Sequence, residues 1–210
     1  MKPGSVDRSE LPRNVTPVSL PATEVAGLPK RIPKSIVGWM YPFELLYLYQ
    51  IAKMLAEWGV EGDLLEVGSY KGLSASALGQ AGKLTCVDTF DGGEGIVPGF
   101  GRAEFDQAMR TMDLHPRVLV GPSADILGNL VVWGERFRLV FVDASHEYAN
   151  VKIDLALSWT LLSPGGFLVA DDYVGFPDVT AACDESGYGF VKVEPRLSKM
   201  AVAHKTEEPI

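Results

Sequence analysis

Between positions 41 and 58 the residues Phe43, Leu46, Tyr47, Ile51, Met54, Leu55 and Trp58 recur at spacings of three and four. That is the stripe of a helix burying one face, and Gly59 stops it. Beyond it the pattern changes to short apolar runs at 63–67, 83–87, 117–120, 138–142 and 167–170, which predict strands. The segments between them, 73–80, 103–112, 123–133 and 150–162, predict helices, and 179–185 predicts one more. Two last runs, 189–193 and 199–203, predict a closing pair of strands with no long helix between them. Strands alternating with helices imply a parallel sheet covered on both faces, with right-handed crossovers and a ligand crevice at the carboxyl ends of the strands. The closing pair predicts one antiparallel strand at the edge. The expected fold class is thus α/β: a doubly wound, mostly parallel sheet.

The flanks read differently. Residues 1–38 carry Pro3, Pro12, Pro17, Pro21, Pro29 and Pro33 with few large apolar side chains, which predicts an extended arm or lid ahead of a single domain at 39–205. Residues 206–210 form a polar tail. The length of 210 residues and the 47% hydrophobic content suit one sizeable core. A net charge of −8 argues against a nucleic-acid or anionic-membrane surface and for a small-molecule substrate. Two cysteines, Cys86 and Cys183, suggest neither a disulfide framework nor a metal cluster. No apolar run or leader pattern directs the chain to a membrane, so a cytoplasmic location is expected. An exposed arm also suits a homodimer.

The chemistry gathers at the strand ends. Residues 64–73 read L-L-E-V-G-S-Y-K-G-L: an apolar strand ending in an acid, then Gly68 and Gly72 four apart, then a helix. Such a turn lets backbone approach a ligand and aims helix N–H groups at it. The three-glycine fingerprint of dinucleotide folds is absent. Glu66, Asp88, Asp143 and the pair Asp171-Asp172 all fall at predicted carboxyl ends. Each acid serves equally well as a helix N-cap, but five at one rim point to a site. Asp88, 22 residues beyond Glu66, has the place of a ribose-binding acid. Strands four and five are expected neighbours, so Asp143, Asp171 and Asp172 should meet. Three carboxylates together make sense around a hard cation such as Mg²⁺; the other reading is that one of the pair caps the next helix. His146, three residues after Asp143, is a candidate general base.

Taken in order, E-V-G-S-Y-K-G-L-S-A, V-G-P-S-A-D-I-L, V-D-A-S-H and A-D-D-Y resemble the metal-dependent class I O-methyltransferases that use S-adenosylmethionine. The resemblance covers residues 43–203 and implies a seven-stranded, Rossmann-like methyltransferase sheet with one antiparallel edge strand. It implies cofactor contacts at Glu66, Gly68, Tyr70, Ser74, Asp88 and Ser123, with Ala124 beside Ser123 at the adenine and Asp143 at the cofactor's edge. It also implies metal ligands at Asp143, Asp171 and Asp172, and Asp143 and His146 as the catalytic residues. The catechol branch has Asn where this chain has Asp172 and Lys where it has His146, so the sugar and natural-product branch is the nearer one. The expected activity is O-methylation of a hydroxylated small molecule. The rival is a non-catalytic cofactor-binding or scaffolding protein of the same fold. Phe90, Phe100, Trp39 and Tyr173 are candidates for lining the substrate pocket.

Overall fold

A computed structural model describes residues 27–91, 101–194 and 197–206. The elements run α1 (Pro42–Glu57), β1 (Asp63–Val67), α2 (Leu73–Leu78), β2 (Leu84–Asp88), α3 (Arg102–Met112), β3 (Arg117–Val120) and α4 (Ser123–Val132). They continue through β4 (Phe137–Val142), α5 (Tyr148–Leu161), β5 (Leu162–Ala170), α6 (Pro177–Asp184), β6 (Val191–Lys192) and β7 (Ala201–His204).

One seven-stranded sheet results, in the order β3-β2-β1-β4-β5-β7-β6. The first five strands pair in parallel, and β7 runs antiparallel to both β5 and β6. The expected antiparallel strand is therefore β7, seated between β5 and the two-residue edge strand β6. Winding reverses between β1 and β4, where a doubly wound sheet opens its ligand crevice.

Strand side chains alternate between two cores, as the two-residue strand period requires. Leu64, Leu139 and Phe141 face the layer of α1, α2 and α3. Leu65, Val67, Val140 and Val142 face α4, α5 and α6. The α1 stripe is offset from the expected one. Leu45, Leu48, Ile51, Ala52 and Leu55 are buried, whereas Trp58 stands 63% exposed. Apolar residues surround much of this helix, so spacing alone could not select the inward face.

Three boundaries differ from expectation. The strand expected at 167–170 starts earlier: β5 begins at Leu162 and includes the run at 163–166. Lys205 N–H donates to Gly166 O at 2.9 Å and Gly165 N–H to Lys205 O at 2.7 Å, so tertiary pairing holds it extended. Lys199, expected in a strand, lies in the loop before β7. Residues 27–38 of the expected arm pack on the domain: Ile36 joins the core, and Lys30 N–H donates to Gln80 Oε1 at 2.6 Å. The arm up to residue 26, loop residues 92–100 and the tail from 207 lie outside the described residues. Both cysteines are buried free thiols. Among the described residues no helix is long and apolar enough to cross a membrane.

One buried acid belongs to the scaffold. Asp154, on the inner face of α5, is 1% exposed, and its Oδ2, like Ser158 Oγ one turn on, has no hydrogen-bond partner among the described residues. Burial pushes its carboxyl up to about 6, against an opposing hydrogen bond from Ser123. With the folded value above the unfolded one, the folded chain holds the extra proton, so this contribution is full below about pH 4 and is lost as pH rises through 6. Asp154→Asn should flatten that decline. It should be the more stable protein at pH 8 by up to about 3 kcal/mol, as chemical denaturation at pH 4 and pH 8 would register. An equal pH slope in both proteins contradicts the assignment.

Candidate active site

The turn after β1 is organised by a carboxylate from β2. Asp88 Oδ2 accepts the N–H groups of Ser69 and Tyr70, both at 2.7 Å, and Oδ1 accepts that of Phe90 at 2.6 Å. Tyr70 and Phe90 take left-handed φ values of 42° and 51°, which these charge-assisted bonds help hold. Three of the roughly four acceptor sites of the Asp88 carboxylate are thus spent on backbone. One acceptor site remains for a ribose hydroxyl.

Glu66 sits beneath the turn with no solvent exposure, and its Oε2 accepts Ser69 Oγ–H at 2.5 Å and Cys86 Sγ–H at 3.4 Å. Burial pushes its carboxyl up to about 7, with the Asp88 charge adding to the rise and the hydroxyl and thiol donors opposing it.

The two glycines do something the motif did not suggest. A Cβ on Gly68 would lie 1.9 Å from the carbonyl oxygen of Asp143, and one on Gly72 would meet Met109, Phe105 and Ala108 of α3 at 3.0–3.4 Å. Both missing side chains face protein. Gly68 brings the end of β1 against the end of β4, and so sets where Asp143 stands.

The second half of the site lies across β4 and β5. Asp143, His146 and Asp172 present one ligand atom each within 4.8 Å of one another. Asp172 Oδ2 is 2.8 Å from His146 Nε2, and the His146 ring stacks on Phe176 with centroids 4.0 Å apart. Asp171, expected with Asp143 and Asp172, is outside this set. Its Oδ2 receives Lys199 Nζ at 2.9 Å, its Oδ1 is buried without a hydrogen-bond partner among the described residues, and Lys199 also donates to Asp172 Oδ1 at 2.7 Å.

Electrostatics follow from that packing. Burial raises Asp143 well above the usual carboxylate range, and the charges of Asp171 and Asp172 raise it further. Burial pushes Asp171 up to about 7, although Lys199 pulls the other way. For Asp172 burial is outweighed by the bonds from His146 and Lys199, which hold it below the usual value. Burial disfavours the Lys199 ammonium, but Asp171 and Asp172 more than offset it and keep that group firmly charged.

Of the other expected residues, Ser74 is buried in the first turn of α2, and Ser123 and Ala124 open α4, half-buried at the end of β3. Trp39 stacks on Tyr70 with centroids 4.8 Å apart, so it covers the glycine turn. Phe90 is buried against Phe105, and Tyr173 is turned to Asp184, to which its hydroxyl donates at 2.7 Å. Phe100 lies outside the described residues.

Two participants escaped the sequence reading, Lys199 and Glu44. Glu44 is fully buried in the first turn of α1 and accepts from Tyr41 N–H at 2.7 Å, Lys199 N–H at 2.7 Å and Ser198 Oγ–H at 3.2 Å. A polar residue on the buried side of a helical stripe was the one available signal.

The seven-stranded sheet is the Rossmann-like sheet of the methyltransferase fold, with an acid-braced glycine turn after β1 and a carboxylate cluster across β4 and β5. The chain belongs to the methyltransferase-domain family, which matches residues 65–173, from β1 through the Asp171-Asp172 pair. No curated protein sequence matches it. Among solved structures it is similar to the O-methyltransferase NovP, at 18% identity over 85% of this chain and 84% of that one, with a TM-score of 0.66. It is also similar to CalS11, a TDP-rhamnose 3′-O-methyltransferase in calicheamicin biosynthesis, at 15% identity over 77% and 79%, TM-score 0.61. A third is TomG of Streptomyces achromogenes, an O-methyltransferase involved in tomaymycin synthesis and solved with S-adenosylmethionine, at 18% over 77% and 80%, TM-score 0.57.

Proposed function

We propose that the protein is an S-adenosylmethionine-dependent O-methyltransferase acting on a hydroxyl group of a small molecule, a sugar or a natural product. The observation that carries the reading is the Asp172–His146 pair beside Asp143, one strand over from the Asp88-braced turn. A proton acceptor and a set of cation ligands stand next to a cradle suited to a nucleoside. The three similar structures are all named O-methyltransferases, CalS11 one of TDP-rhamnose, which supports oxygen as the acceptor atom.

The cofactor, when bound, supplies an electrophilic sulfonium methyl. Two carboxylates fit a hard divalent cation; Asp143 and Asp172 would hold Mg²⁺ or a similar ion, which would supply Lewis acidity toward a hydroxyl. The rest is the work of the chain. Asp172 Oδ2 accepts His146 Nε2–H, which leaves the ring's lone pair on Nδ1, free to take the hydroxyl proton. Phe176, flat against the imidazole, restricts its rotation. Asp88 shapes the cofactor turn, and the acidic rim favours a cationic sulfonium. The reading includes a cytoplasmic enzyme with a small-molecule partner, and a homodimer through the arm.

The experiment is a calorimetric titration of S-adenosylmethionine into chelator-treated protein, followed by Mg²⁺. Wild type should bind the cofactor, and Asp88→Ala should bind it about 100-fold more weakly, since three backbone donors lose their acceptor. No cofactor binding by wild type would sink the reading.

A further inference from the structure

Lys199 is held at its main chain from both sides. Its N–H donates to buried Glu44 Oε1 at 2.7 Å, and its carbonyl accepts Val174 N–H at 2.9 Å. Its ammonium then reaches two carboxylates at once, Asp171 Oδ2 at 2.9 Å and Asp172 Oδ1 at 2.7 Å, with the Lys199 side chain only 21% exposed. The contact divides the labour of the paired aspartates. Asp172 keeps Oδ2 for His146 and the three-donor set, while Asp171 turns one oxygen to Lys199 and buries the other.

We propose that Lys199 is a built-in counter-cation of this cluster, which withholds Asp171 from the ligand set and sets how tightly a divalent cation binds at Asp143 and Asp172. The inference rests on the reading of those two residues as cation ligands. Its physics is Coulombic. A fixed positive charge a few ångströms from the ion's place repels the ion and occupies two of the oxygens that would otherwise attract it. At an effective dielectric of about 20, a unit charge at that range changes an affinity by well over tenfold.

The probe is Mn²⁺ alone, titrated into chelator-treated full-length protein and followed by calorimetry and by the electron-spin signal of the free ion. Lys199→Met should bind Mn²⁺ at least about tenfold more tightly than wild type, and Lys199→Arg no more tightly, since it keeps the charge. A positioning role for Lys199 in the fold alone would leave the affinity unchanged or lower it. Lys199→Met binding no more tightly than wild type therefore overturns the proposal while leaving the cation site standing. If neither protein binds Mn²⁺, the cation reading falls and this inference with it. Should Lys199→Met fail to fold, Lys199→Gln decides. An affinity at least about tenfold above that of wild type supports the proposal, and one no higher overturns it.

Discussion

Gly68→Ala should destabilise the protein by about 4 kcal/mol, lower its melting temperature by roughly 8–16 °C, and weaken cofactor binding together with it. Two costs add. The φ of 89° is one that residues with a side chain rarely adopt, and the new Cβ would lie 1.9 Å from Asp143 O, 2.5 Å from Asp143 C and 2.8 Å from Ala144 Cα. All three are backbone atoms, so no side chain can swing aside. The ends of β1 and β4 are tied at this level by Asp143 N–H to Val67 O at 2.8 Å, and Gly68 N–H is itself bound to Val87 O at 2.8 Å. Relief must move either the cofactor turn or Asp143. Gly72→Ala is the control: its φ is 85°, but the contacts at 3.0–3.4 Å are with side chains, whose ends can yield, so about half the loss is expected. Thermal unfolding of the two variants side by side checks the order. Equal losses would mean that backbone strain, and not the closure of β1 on β4, is what the first glycine relieves.

Asp172→Asn should reduce kcat by about 10³-fold, with cofactor affinity changed by no more than about threefold. The substitution is nearly isosteric, and Asn tolerates the left-handed φ of 56° as well as Asp does, so the loop into α6 should keep its course. What is lost is charge at the point where His146 Nε2 and Lys199 Nζ converge, 2.8 Å and 2.7 Å away. Without the carboxylate the imidazole loses the partner that sets its tautomer and stabilises its protonated form. Steady-state kinetics with calorimetry on the same preparation separates the two effects. Activity close to the parent's would remove Asp172 from the mechanism, and a matching collapse of cofactor binding would make its role structural. His146→Ala should fall in the same direction by about 10²-fold.

Much of this architecture is readable along the chain because its causes are local. Continuous apolar runs, helix stripes and breaker residues recur within a few positions of one another, and they suffice for the strands, the helices between them and the acids at the carboxyl ends. The E-x-G-x-x-x-G stretch and the acid 22 residues on likewise mark a site, because chain order places the ends of β1 and β2 side by side. The reasons behind those residues were less accessible. Gly68 reads in sequence as a place for a ligand, yet its bare Cα faces Asp143, 75 positions away along the numbering. The expected triad of Asp143, Asp171 and Asp172 is a statement about neighbouring strands; successive residues at a strand end point different ways, so only one of the pair can face His146.

Lys199 and Glu44 show the boundary most clearly. They lie 155 positions apart, and neither stands in a recognisable motif. Their pairing depends on how the loop before β7 crosses the start of α1, a matter of packing between distant segments that no periodicity records. Local pattern suffices for the α/β order and for the rim at which chemistry gathers. Which carboxylates share a centre, and which one is already answered by a lysine, is decided when the folded layers bring distant backbone into register and exclude water from the groups between them.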